Sequence, residues 1–415
     1  MKNNVKLLVA VMAAVLMSGC VGTPDKEGWR YGQKSEFLEI LKTDKYFSIC
    51  NSRGLYEQIR QSQDSVLMSR MLVAYAGNLA NGCIDLEHFK EVQKQKKSRR
   101  IESHYEFYKE EVDVKQIAMK LRAGQSIESI LAPYIPKNEQ FGKLLHTYHT
   151  LSRSDTITKE QLHTIRLNIE RVKLMNNNLG NDYALVNVPE FIVRVKKDGK
   201  TDLKFRVVVG KKRLQTPIFA AQLQYVTLNP QWSVPDSIAR NEVIPALLKD
   251  PAYLKKSRMV VRQDYNLNSK HVSPTVEVLK SYKGGKGAVP FKFIEVPSKW
   301  NGLGRVKFIF PNKHSVYMHD TQSKGLFKRE VRTYSHGCVR LQKPTALLNY
   351  IATHYTDETL EKVQVKYDSL KTHHLKLNKH VMVHTAYMTA YVSEDGKLHT
   401  FNDIYGYDKS QKLNF

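Results

Sequence analysis

One thiol and one imidazole stand out in the second half of the chain. His319 lies in Tyr317-Met318-His319-Asp320-Thr321, and Cys338 follows nineteen positions later in Tyr334-Ser335-His336-Gly337-Cys338-Val339-Arg340-Leu341. The thiolate is the reactive form of Cys, and an imidazole beside it can take its proton or hold it as an ion pair. The two are therefore a candidate nucleophile and base. Gly337, directly before the sulfur, lets the backbone approach closely, and the N–H groups of Gly337 and Cys338 are placed to hold an oxyanion. The apolar runs Val306 to Phe310 and Val316 to Met318 predict two short strands, with His319 at a strand end and Cys338 on the loop beyond. Loops carried by a rigid sheet are where catalytic groups sit. His314, His319, His336 and Cys338 could instead ligate zinc. Zinc ligands come in pairs at short spacings, and only His336-Gly337-Cys338 is close, so no metal site is expected.

His319, the gap, and Ser335-His336-Gly337-Cys338 followed by Val339-Arg340 resemble the active-site signature of the YkuD-type L,D-transpeptidases of the bacterial cell wall. Further stretches resemble the large, multi-domain periplasmic subgroup: Val207 to Gly210, Thr216 to Phe219, Asn229 to Pro235, Asn301 to Phe308, Phe310-Pro311-Asn312, and Ala390-Tyr391 through Asp403 to Gly406. The resemblance implies that Cys338 forms a thioester, that His319 activates it and later deprotonates the acceptor amine, and that a main-chain carbonyl near Asp320 orients the ring. It also implies a groove lined by Tyr317, Asp320, Ser335, His336, Arg340 and Asn301, in which Arg340 pairs with a stem-peptide carboxylate. Two features depart from the subgroup. No peptidoglycan-binding repeat precedes Leu162, and Glu295 to Trp300 lacks the usual Gln and Pro-Gly pair.

Residues 1–19 carry two lysines, an apolar run from Leu7 to Met17, and then Ser18-Gly19 before Cys20. The run is shorter than the ~20 apolar residues that span a bilayer. Leu16 to Cys20 resembles a bacterial lipoprotein signal, in which Cys20 is lipidated; an ordinary secretory peptide is the competing reading. Val21, and not Asp, after Cys20 favours the outer membrane. With Cys20 lipidated and Cys338 catalytic, Cys50 and Cys83 remain, either as a disulfide in an oxidising compartment or as two buried thiols.

The charge of +25, from 65 basic and 40 acidic residues, is spread thinly and suits anionic wall polymer or lipid headgroups better than nucleic acid. After a linker (20–34), residues 35–179 read as a helical scaffold domain. Phe37, Leu38, Ile40 and Leu41, and Val66, Leu67, Leu72, Val73 and Ala76, have helical spacing, with Gly77 and Gly82 as stops. Glu91 to Lys120 reads as an exposed, arm-like helix. From residue 180 the period changes to strands at Tyr183 to Val188, Phe191 to Val195 and Phe205 to Val209, with a turn at Lys197 to Lys200.

The expected class is α+β: the helical scaffold, then a mostly β, YkuD-like catalytic domain (180–415). A mixed helix-and-loop insertion (236–300) would cap the groove, its Gly284, Gly285 and Gly287 suited to a mobile lid. Trp232 and Trp300 could stack on sugars or fill a core. The expectation is an exported, lipid-anchored, periplasmic L,D-transpeptidase without a cofactor. It would act on peptidoglycan stem peptides, joining them by 3→3 cross-links with release of D-Ala. The alternatives are an L,D-carboxypeptidase, attachment or release of a wall protein at the same site, and a non-catalytic wall-binding lipoprotein.

Overall fold

The computed structural model describes residues 23–415; the expected signal segment and Cys20 lie outside the described residues. The chain forms two compact units. One comprises the residues up to Gln95 with Phe107–Asn177 and Met388–Phe415, and the other Lys96–Glu106 with Asn178–Tyr387.

The first unit is built on helices α1 (Tyr31–Thr43), α2 (Arg53–Ser62), α3 (Ser65–Asn81), α4 (Leu86–Ser98), α5 (Val114–Arg122), α6 (Ile127–Leu131), α7 (Glu139–Leu151) and α8 (Lys159–Lys173). In α3 the Asp64 carboxylate caps the start by accepting from Leu67 N at 2.9 Å, and Gly82 ends it at φ +71°. Met68, Met71, Leu72, Tyr75, Ala76 and Leu79 share its buried stripe. Gly77, read as a stop, lies inside this helix, where its missing side chain costs only about 1 kcal/mol of propensity. Residues 388–415, expected with the catalytic domain, pack here: Gln140 bonds Val392, Asn168 bonds Thr389, and Arg171 pairs with Asp408. A disulfide joins Cys50 to Cys83.

The stretch from Glu91 to Lys120 is not one arm-like helix. α4 stops at Ser98, and residues 101–113 run extended until α5. Residues 102–106 belong to the second unit because Glu102 N donates to Arg213 O and Glu106 N to Ile218 O, each at 2.8 Å.

The second unit centres on a nine-stranded sheet. Its strands are β1 (Tyr183–Asn187), β2 (Ile192–Lys197), β3 (Lys200–Gly210), β4 (Phe219–Leu228), β8 (Val306–Ile309), β9 (Met318–His319), β10 (Thr333–Ser335), β11 (Val339–Leu341) and β12 (His373–Ala386). The order is β10-β3-β11-β9-β8-β4-β12-β1-β2, and β2 also pairs with β3, so the sheet closes on itself. Alternation sets its faces: Val226, Phe308, Met318, Val339 and Leu375 are buried on one side. The helix Pro344–Tyr355 packs against β8 and β12 through this unit's core.

The insertion carries its own small sheet, β5 (Trp232–Ser233), β7 (Lys292–Glu295) and β6 (Met259–Arg262), packed with short helices around Val234, Val243, Ile244, Leu279 and Phe293. Trp232 packs against that core, whereas Trp300 is exposed.

Candidate active site

Three neighbouring strands line up the reactive groups. In β8 and β9 Lys307 stands opposite His319, and in β9 and β11 His319 stands opposite Arg340. A row Lys307, His319, Arg340 therefore crosses the face opposite Phe308, Met318 and Val339. Cys338 immediately precedes β11, and the register that sets Val339 against Met318 brings it beside Tyr317. Val339 N donates to Tyr317 O at 3.1 Å, and the Tyr317 ring meets His319 edge-on, centroids 5.5 Å apart.

The turn that carries the sulfur is held at both ends. Gly337 has φ +107°, which favours glycine. Its carbonyl accepts from the buried Thr216 hydroxyl at 2.8 Å, and that oxygen in turn accepts from Gly210 N at 2.9 Å. Ser335 is buried, and its carbonyl accepts from Lys211 N at 2.9 Å. Among the described residues, neither Gly337 N–H nor Cys338 N–H meets an acceptor, so both remain free to receive an oxyanion beside the sulfur.

Electrostatics make the resting pair neutral. Burial, reinforced by the Arg340 guanidinium and more weakly by Lys307, pushes the His319 imidazole down to about 3. The carbonyls of Asp320 and Leu303 lie beside the ring and oppose this shift, although neither closes a hydrogen bond to the buried Nδ1. Burial raises the Cys338 thiol, while Tyr317, Lys307 and Arg340 pull it down. The Tyr317 phenol is driven well up by burial. At neutral pH the site therefore holds a thiol and a neutral imidazole, rather than a preformed ion pair.

Two of the expected groove residues point elsewhere. Asn301 is fully buried: its amide donates to the carbonyls of Glu295 (3.2 Å) and Val296 (3.0 Å), and its oxygen accepts from Leu303 N (2.9 Å). It closes a turn and has no surface to offer a substrate. Asp320 is also buried; its carboxylate accepts from Arg305 N at 2.9 Å and Thr321 N at 2.7 Å and pairs with Lys324. A Cβ on Gly304 would lie 2.2 Å from that carboxylate, so glycine permits the contact that pins the end of β9. His336 bonds Glu242 at 2.7 Å, joining the catalytic turn to the insertion.

Lys307, Thr216 and Glu242 escape a reading of the sequence. Lys307 looks like an ordinary outward residue of an alternating strand. The signals that could have marked them are the register that opposes Lys307 to His319, the side-chain bond from Thr216 to Gly337 and the bond from His336 to Glu242, all of which need the fold. In the insertion, Arg240 donates to the carbonyls of Tyr282, Gly284, Gly287 and Ala288, so the glycine loop read as suiting a mobile lid is tied down. Among the described residues no group of three or more His, Cys, Asp and Glu is arranged to hold a metal ion. A cavity of about 630 Å³ lies elsewhere on the sheet, between β4 and the register shift in β12, and is lined by neither Cys338 nor His319.

Residues 181–365 match the YkuD family, described as the L,D-transpeptidase catalytic domain. A Haemophilus influenzae protein, named as a candidate L,D-transpeptidase, is 26% identical over 264 residues, which is 63% of this chain and 50% of the relative; the match thus spans about half the relative's length. Among solved structures, an L,D-transpeptidase from Mycobacterium smegmatis is 11% identical, covering 49% of this chain and 58% of its own, with a TM-score of 0.21. An Enterococcus faecium L,D-transpeptidase variant is 9% identical, covering 70% and 99%, with a TM-score of 0.22. The stretch that matches the L,D-transpeptidase catalytic domain, residues 181–365, contains both His319 and Cys338.

Proposed function

We propose that this protein forms 3→3 cross-links in peptidoglycan. The observation that carries the reading is the β9–β11 register, which sets His319 and Cys338 on one face of the sheet, with the Gly337 and Cys338 N–H groups unoccupied among the described residues. As Sγ attacks the carbonyl before the terminal D-Ala of a tetrapeptide stem, His319 takes the thiol proton. The two N–H groups hold the tetrahedral oxyanion; loss of one such donor costs ~10²–10³ in rate. His319 then gives its proton to the departing D-Ala amine, leaving a thioester. A side-chain amine of a second stem attacks the thioester, His319 removes its proton, and the thiol is restored. Arg340, partly buried and with its Nε unpartnered, is the group for a stem carboxylate. The lipoprotein-like start of the chain and the disulfide support an exported protein anchored through Cys20 on the periplasmic side of the outer membrane.

The test is to incubate the full-length protein in detergent with disaccharide-tetrapeptide and follow the products by mass spectrometry, with Cys338→Ala as control. Dimers with loss of D-Ala, absent from the control, are expected. Tripeptide alone would mean hydrolysis by an L,D-carboxypeptidase. An unchanged substrate would sink the cross-linking reading and direct attention to wall-protein acceptors or to a structural role.

A further inference from the structure

Buried cations in this molecule generally have visible partners: Arg194 pairs with Glu190, Arg171 with Asp408, and Arg166 and Lys173 with Glu170. Lys307 does not. It is half-buried on the face that carries His319, and among the described residues no carboxylate lies within ion-pair distance of it and no hydrogen bond satisfies its ammonium. What it meets is the Tyr317 ring, 3.8 Å from Nζ to the centroid, while its cross-strand partner is the base His319. Tyr317 is also the neighbour of Cys338 across β9 and β11. The ammonium is therefore held against the face of one aromatic ring, beside both members of the reactive pair.

A cation withdrawn from water without an anion costs several kcal/mol, and a single cation–π contact returns only part of that. Such an arrangement persists where the missing anion is supplied in the course of function. Lys307 and Cys338 flank the same Tyr317 ring and act on each other electrostatically, so the charge that forms on Sγ, and then on the oxygen of the tetrahedral adduct, forms within the reach of this ammonium. We propose that Lys307 is a further catalytic residue, its ammonium serving as counter-ion to the charge that develops on the sulfur and on the adduct oxygen. No proton leaves Lys307: the thiol proton goes to His319, and Lys307 stays an ammonium throughout. The same charge opposes an imidazolium at His319, but there Lys307 is the weakest of the influences and Arg340 exceeds it. Burial already disfavours the ammonium, which strengthens its demand for an anion.

The inference rests on the thioester reading of the site, yet it can be tested without a peptide substrate. In full-length protein in detergent, the pH dependence of iodoacetamide alkylation is followed by mass spectrometry on the peptide bearing Cys338, for wild type, Lys307→Met and Lys307→Arg. Lys307→Met is expected to move the alkylation inflection up by about one pH unit and to slow alkylation near neutrality by about tenfold. Lys307→Arg, which keeps the charge, should restore most of the rate. Coincident curves for wild type and a folded Lys307→Met, judged by equal melting temperatures, would overturn the proposal. If Lys307→Met unfolds, the decision passes to Lys307→Arg against Lys307→Gln. With disaccharide-tetrapeptide, Lys307→Met should lower kcat by about 10²-fold with KM little changed. A rise in KM alone, with unaltered alkylation, would make Lys307 a substrate-binding cation and refute the counter-ion role. Absence of product from wild type would remove the cross-linking reading while leaving the alkylation result to stand.

Discussion

Two clusters of charge, one in each unit, are built in opposite ways. In the helical unit, Glu170 is wholly buried and is shared by Arg166 and by Lys173 Nζ at 3.1 Å, while Cys83 N donates to its second oxygen at 2.6 Å. Lys173 also reaches Phe47 O at 2.7 Å, and the Arg166 guanidinium lies 4.3 Å over the Phe47 ring. These bonds fix a loop in which Asp44, Phe47 and Cys50 all adopt positive φ, conformations that cost about 1–3 kcal/mol each. On the face that carries His319, by contrast, no carboxylate among the described residues pairs with Lys307, which lies against the Tyr317 ring, and Arg340 keeps Nε unpartnered. Cations with a partner inside the chain hold the fold; in the proposal above, those without one meet charge that arrives with the reaction.

The sharpest way to break this contrast is to remove one side chain from each cluster. Glu170→Ala strands two buried cations and a backbone N–H, so a loss of about 3–5 kcal/mol is expected in urea unfolding. Lys307→Met removes a charge that has no partner to strand, and should leave stability unchanged or slightly higher. A Glu170→Ala loss below about 1 kcal/mol would end the comparison, since the helical cluster would then be no more structural than the catalytic one.

The contrast also explains what could be read beforehand. His319 and Cys338 are legible because each stands in a short motif whose neighbours do local work: a glycine at positive φ and a strand on either side. The strands β8 and β9 follow from alternation that one buried face imposes. Asn301 and Asp320 misled because polar residues beside a reactive motif look like substrate contacts, and nothing local reveals that their oxygens are spent closing turns. Residues 99–113 misled for a different reason. Their charge pattern suits a solvated helix, and it is pairing with residues 213 to 218, more than a hundred positions away, that draws part of them out straight. The tail after Tyr387 resembles the family's catalytic region, but its side chains bond Gln140, Asn168 and Arg171 of the helical unit.

A second, smaller effect separates the units by pH. His319 and His384 are both buried in the catalytic unit, chiefly by burial pushed down to about 3 and about 4. As pH falls below the ordinary value near 6.5, the unfolded chain takes up protons that the folded rings refuse, so the folded state loses stability. The loss should approach about 1.4 kcal/mol per pH unit for each ring, and be absent above pH ~7. Hydrogen exchange between pH 7 and 5 should therefore show amides of 178–387 losing protection before those of the helical unit. The reverse order would mean that these rings are hydrated in solution.

The smallest effect probes Glu242, an anion of the insertion that bears on Arg340. Glu242 accepts from His336 at 2.7 Å and also acts electrostatically on Arg340. The side chains of His336 and Glu242 are 26% and 52% exposed, so water screens the pair and its worth is below about 1 kcal/mol. A carboxylate held this weakly can be displaced by a substrate carboxylate seeking Arg340, and it must then act as a mild competitor. Glu242→Gln keeps a hydrogen-bond acceptor for His336 but removes the charge. It should lower KM for the tetrapeptide substrate by about two- to fivefold, leave kcat and melting temperature nearly unchanged, and shrink the dependence of KM on salt. A raised KM would show instead that Glu242 helps to hold the substrate, and would place it with the paired charges that build the site.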